Sequence, residues 1–129
     1  MGLFDLLFKG NIFGRTTVSR DTEDRIKIDW EKINQLQKLG GPSNLRQALI
    51  TADRTLDNVL KELYKGESMG ERLKEAKDRF DRPTYNLIWD AHKIRNSLVH
   101  EAGYEPPYYV VNKAIDDLRS VIASFGVSL

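Results

Sequence analysis

The sequence predicts an all-α protein, an up-and-down helical bundle of four long helices and one short one. Apolar residues recur at spacings of three and four in separate stretches, and no stretch alternates as a strand would. The joints between stretches are short and marked by Gly and Pro, which favours antiparallel neighbours over long crossovers.

Residues 1–20 read as an apolar arm and a polar linker, and residues 21–129 as the bundle. The arm, MGLFDLLFKGNIFG, is interrupted by Asp5 and Lys9 and falls short of the roughly 20 apolar residues a membrane-spanning helix needs. It has neither the basic opening nor the small-residue cleavage site of a secretory signal. Leu6 stands where a myristoylation site carries Ser or Thr. The expected location is cytoplasmic. The following RTTVSRDTED has no repeating apolar position and ends in a helix start near Asp21.

From Asp21 to Leu39, Ile26, Trp30, Ile33 and Leu36 share one helical face, and GGP at 40–42 stops the helix. A capping pair of Asn44 and Gln47 is expected ahead of the second helix. Its stripe is Leu45, Ala48, Leu49, Ala52, Leu56, Val59, Leu60 and Leu63, and it runs to about Lys65. Ser68 and Glu71 form a capping box for a short third helix marked by Met69, Leu73, Ala76 and Phe80, which must end before Pro83. The fourth helix opens at Pro83 or Thr84, buries Tyr85, Ile88, Ala91, Ile94 and Leu98, and closes near Gly103. After two prolines in EAGYEPPYY, the residues Tyr108, Val111, Ile115, Leu118, Ile122 and Phe125 form the stripe of the last helix.

Composition narrows the chemistry. The chain of 129 residues has no cysteine, which removes disulfides, thiolate zinc sites and thiol nucleophiles. Its 20 basic and 19 acidic residues leave a net charge of +1, so a polyanion would have to meet a local basic patch. His92 and His100 are eight apart, about 12 Å along a helix, too far for one metal ion to reach both. GGPSN lacks the Lys of a phosphate loop, and no oxyanion turn surrounds Ser97 and His100. No metal and no cofactor are expected.

One stretch resists a purely structural reading. HKIRNSLVHE, residues 92–101, puts His, Arg, Asn and Ser into what the apolar pattern marks as the most buried helix, where such residues are mediocre helix formers or costly to bury. Asn96 and His100 share a helical face with His92 one turn further back, whereas Arg95 and His100 stand roughly 140° apart around the axis and about 7.5 Å apart along it.

Arg95, Asn96 and His100 resemble the signature of HEPN domains, the higher eukaryote and prokaryote nucleotide-binding family: an Arg, a polar residue that is often Asn, and a His after four to six residues. The gap here is four. HEPN domains are also helical bundles with the motif near the end of a long helix, followed by a short loop and one last helix, and residues 21–125 follow that order. The resemblance implies metal-independent RNA cleavage. His100 would act as general base or acid on the ribose 2′-hydroxyl, and Arg95 would hold the phosphate by forked hydrogen bonds. Asn96 would orient the imidazole or bind the sugar and phosphate. Cyclic 2′,3′-phosphate and 5′-hydroxyl ends would result. Proton transfer on both sides of phosphorus needs two groups, so the resemblance also implies a homodimer with a composite site. An antitoxin or a nucleotidyltransferase is the kind of companion it suggests.

A second reading stands beside it, in which the same residues serve a non-catalytic module that dimerises or binds a nucleotide or protein. Arg95 would then be tied to Asp90 or Glu101, His100 would cap the helix end, and Asn96 would set a dimer seam. His92, outside the motif, is expected to be exposed or at an interface. The arm likewise has two readings: a membrane-surface or partner-docking helix over residues 3–13, or a segment folded on the core or a neighbouring copy. The second is expected. Full-length protein and a deletion of residues 1–14 should therefore pellet equally with anionic vesicles, and weaker pelleting of the deletion would restore the membrane reading.

Overall fold

A computed structural model describes residues 17–129. Among them the chain is helical throughout, without strands: α1 (Arg20–Leu39), α2 (Pro42–Leu63), α3 (Met69–Glu75), a 3-10 turn (Lys77–Arg79), α4 (Arg82–His100) and α5 (Tyr108–Ala123). The expected all-α bundle of four long helices and one short one is what forms.

Local chemistry sets most helix ends. Ser19 caps α1, its hydroxyl accepting from the Thr22 N–H at 3.3 Å, with Asp21 and Glu23 placed favourably in the first turn. Ser68 caps α3 by accepting from Glu71 N–H at 3.1 Å, and the Glu71 carboxylate reaches back to the Glu67 N–H at 2.8 Å, so the capping box closes one residue early. The start of α2 differs from the expected Asn44–Gln47 pair. Pro42 opens the helix because its fixed φ already suits the first turn, and Asn44 donates instead to the Gly40 carbonyl at 2.8 Å. Gly40 and Gly41 both hold positive φ, +69° and +86°, which lets the chain reverse between α1 and α2.

The core gathers around α2. Ten of its residues are buried, including Leu49, Leu56, Val59 and Leu60, and it packs against α1, α3, α4 and α5. The helix bearing HKIRNSLVHE is therefore not the most buried one: α4 buries only Ile88, Ala91 and Leu98. Tyr85 and Ile94 are half-buried. On α5 the stripe from Val111 to Ile122 is buried as expected, with Phe125 just beyond it, but Tyr108 is 70% exposed, since the helix begins there, beyond the reach of its neighbours.

The connection from α2 to α3 is held by charge. Arg72 binds both oxygens of Asp57, Nε at 2.9 Å and Nη2 at 3.0 Å, and its Nη1 donates to the Gly66 carbonyl at 2.8 Å. The hydrogen bond to Asp57 raises the Arg72 pKa above its ordinary value against the opposing effect of burial. Gly66 is required beneath it, because a Cβ there would lie 2.8 Å from the Arg72 backbone nitrogen.

Asp81 caps α4 by accepting from the Thr84 N–H at 2.8 Å, and hydrogen bonding from the Thr84 side chain, with that N–H second, holds its carboxyl below the usual aspartate range. A lowered folded-state pKa contributes stability above the ordinary aspartate value and loses it as pH falls through the lowered one. Asp81→Ala should therefore be less stable than wild type at neutral pH in urea melts, with the gap closing in strong acid. A gap that persists unchanged at the lowest pH would exclude the carboxylate as its source.

Candidate active site

Helices α2 and α4 run antiparallel in register, Arg46 meeting Leu98 and Asp53 meeting His92. Arg46 Nε donates to the Leu98 carbonyl at 3.1 Å, taking up one of the C-terminal carbonyls that α4 leaves without a helical partner. One and a half to two turns along α2 lies Asp53, a carboxylate only 2% exposed.

Two side chains of α4 converge on it. His92 Nδ1 lies 2.9 Å from Asp53 Oδ2, and Arg95 Nε lies 3.8 Å from the same oxygen, close enough for charge attraction but too far for a hydrogen bond. Arg95 Nη1 donates instead to Asn96 Oδ1 at 2.8 Å. Adjacent residues on a helix point about 100° apart, so this bond requires the Arg95 side chain to bend along the helix surface. Asp53 Oδ1 and Arg95 Nε are buried without hydrogen-bond partners. The network is thus only partly satisfied.

Arg95 and Asn96 are thus joined by a hydrogen bond, and Asn96 is not bonded to His100. His100 stands apart, exposed at the last residue of α4. It lines a cleft of about 700 Å³ formed by the start of α2 (Pro42, Arg46), the end of α4 (Leu98, His100) and the turn into α5 (Tyr104, Tyr108). Glu101 beside it accepts from Ser97 Oγ at 3.0 Å.

Two expectations are corrected by these contacts. Arg95 is tied to neither Asp90 nor Glu101; its acidic neighbour is Asp53, from the facing helix. His92 is not an exposed residue. Its side chain is 13% exposed, held by Asp53 and set edge-on to Trp89 at 6.0 Å between ring centroids. Asp53 and Arg46 were the residues the motif did not announce. A signal for Asp53 was present: it stands four after Leu49 and three before Leu56, an acid on the apolar face of the most amphipathic helix.

No family model, curated protein or solved structure matches this chain. Among the described residues no cluster of three or more His, Asp or Glu side chains could hold a metal ion, and no helix is long and apolar enough to cross a membrane. The apolar arm, residues 3–13, lies outside the described residues.

The contrast between Asp53 and His100 can be measured. Asp53→Ala leaves a buried ring nitrogen without its hydrogen-bond partner and a guanidinium without its counter-charge, and should cost about 2 kcal/mol in urea unfolding. His100→Ala at the exposed helix end should stay within about 0.5 kcal/mol of wild type. A cost for Asp53→Ala as small as that expected for His100→Ala would mean that the buried contacts carry no stabilising role.

Proposed function

We propose that the chain is a metal-independent endoribonuclease of HEPN type. The observation that supports this reading is the way Arg95 is presented: a guanidinium held from beneath by a buried carboxylate and from the side by Asn96, yet with 31% of its side chain open to solvent. The exposed part of this guanidinium can meet an anion, on the same helix as an exposed imidazole at the mouth of a cleft.

In the proposed reaction Arg95 grips the scissile phosphate and stabilises the charge that grows on its equatorial oxygens. Asn96 fixes the guanidinium rather than the imidazole, which is a narrower role than the motif by itself suggests. His100 handles a proton at one side of phosphorus, a task suited to an imidazole at neutral pH. Arg46, across the cleft from His100, offers a second cation to the phosphate chain. Val99, Tyr108 and Tyr109 are exposed beside the same end of the bundle and give a second copy of the chain an apolar surface to cover. Pairing of two copies there would enclose the cleft.

The net charge of +1 favours the second reading, a non-catalytic module that binds a nucleotide or protein, because RNA affinity leans on phosphate contacts. Digestion of single-stranded RNA in EDTA separates the two. Wild type should yield 2′,3′-cyclic phosphate and 5′-hydroxyl ends, and Arg95→Ala and His100→Ala should each lose roughly a hundredfold or more in rate. Equal digestion by all three proteins would remove the enzymatic reading and leave the binding module.

A further inference from the structure

The cleft at the end of α4 carries groups of both charge types. Arg46 and His100 line it together with Glu101 and Glu105, and Leu98, Val111 and Tyr104 supply apolar and aromatic wall. A plain anion would meet two carboxylates there as well as a guanidinium. A ligand that is an anion at one end and a hydrogen-bond donor at the other answers both. We infer that the cleft takes a guanine nucleotide, its phosphate on Arg46 and its base edge on Glu105, so that the substrate is unpaired RNA with a guanine beside the bond that His100 serves. The inference rests on the ribonuclease reading above, and its test reads the base contact apart from cleavage.

Arg46 is fixed at its root and open at its tip. Its Nε donates to the Leu98 carbonyl at 3.1 Å, and among the described residues no acceptor engages its two terminal nitrogens. That pair of nitrogens is the fork that grips a phosphate. The two acids differ in the same way. The Glu101 carboxylate accepts from Ser97 Oγ at 3.0 Å, whereas Glu105 has no bonded partner among the described residues. The backbone that carries Glu105 is restrained on both sides. Before it, the Tyr104 N–H donates to the Glu101 carbonyl at 3.2 Å across a turn in which Gly103 holds φ at +79°. After it, Pro106 disfavours helical backbone at Glu105. A free carboxylate is thus presented on a fixed turn at the rim of the cleft.

An ionised carboxylate accepts at both oxygens and donates at neither. On its Watson–Crick edge guanine presents N1–H and N2–H side by side, two donors for two acceptors. Adenine and cytosine each set an acceptor nitrogen beside their amino group, and uracil flanks its single N–H with two carbonyls. Each of these would turn a lone pair toward Glu105, a mismatch that such a site rejects. The same edge is used in base pairing, so only an unpaired guanine can offer it. The flat face of the base suits the Tyr104 ring and the Leu98 and Val111 side chains, and a cleft of about 700 Å³ is of the size that holds small ligands.

Titration of the full chain with the four nucleoside 5′-monophosphates, followed in ¹⁵N amide spectra, and a map of the cuts in a mixed-sequence RNA in EDTA test the inference together. Guanosine monophosphate should bind at least about tenfold more tightly than the other three and shift the Tyr104, Glu105 and Val111 amides. Glu105→Gln, a substitution at an exposed turn, should lose that preference while adenosine monophosphate binds as before. Arg46→Ala should weaken all four alike, since the phosphate is common to them. Cuts should fall beside guanines. Equal or absent binding of the four nucleotides, or a guanine preference that Glu105→Gln leaves intact, would overturn the inference. RNA cut by the wild type without regard to base would also overturn it while leaving the ribonuclease reading in place. Guanosine monophosphate held through Glu105 by a protein that cuts no RNA would uphold the base contact and remove the ribonuclease reading.

Discussion

A carboxylate buried to 2% exposure cannot stand alone, and Asp53 sits on the helix against which every other helix packs. Its compensation has to come from a facing element, and α4 supplies it with His92 and Arg95. This one requirement ties the rotation of α4 to that of α2. If α4 turned by one residue, Ile88 and Ala91 would leave the core and Asp53 would lose its partners at the same time. Burial of a charge and burial of an apolar stripe thus specify the same register, which is how polar contacts inside a bundle contribute to uniqueness when they add little net stability.

The arrangement also explains how α4 can hold so many polar residues. It packs on the bundle by one narrow side, with three residues buried against ten on α2. The residues next to that side, Arg95 and Asn96 among them, sit at the boundary between core and solvent. Such a boundary position suits a side chain that must be fixed at its base and free at its tip. Toward the end of α4 Arg46 bonds the Leu98 carbonyl, and the helix end and the turn into α5 line the cleft.

Much of the fold was legible because helix faces and helix ends are local properties. Ile26, Trp30 and Ile33 on α1, Leu49, Leu56 and Leu60 on α2, and Ile115, Leu118 and Ile122 on α5 are buried as their spacing requires. Ser68 with Glu71 caps α3 because the groups that bond are three residues apart. The start of α2 was misread for a local reason too: Pro42 outcompetes Asn44, since a preset φ opens a helix without a side-chain cap. Tyr108 shows where periodicity stops being informative. It continues the stripe of α5 in sequence, yet no helix extends far enough to cover it.

The candidate site divides along the same line. By itself the sequence determined that Arg95, Asn96 and His100 lie late on a penultimate helix, because a periodic pattern and a short spacing settle that much. Only the tertiary structure decided that Arg95 turns toward Asp53, that His92 is held and not exposed, and that Arg46 caps the end of α4. Each of those contacts joins residues 39 to 52 positions apart. The angle at which two packed helices meet follows from the fit of whole faces, and no local spacing carries it.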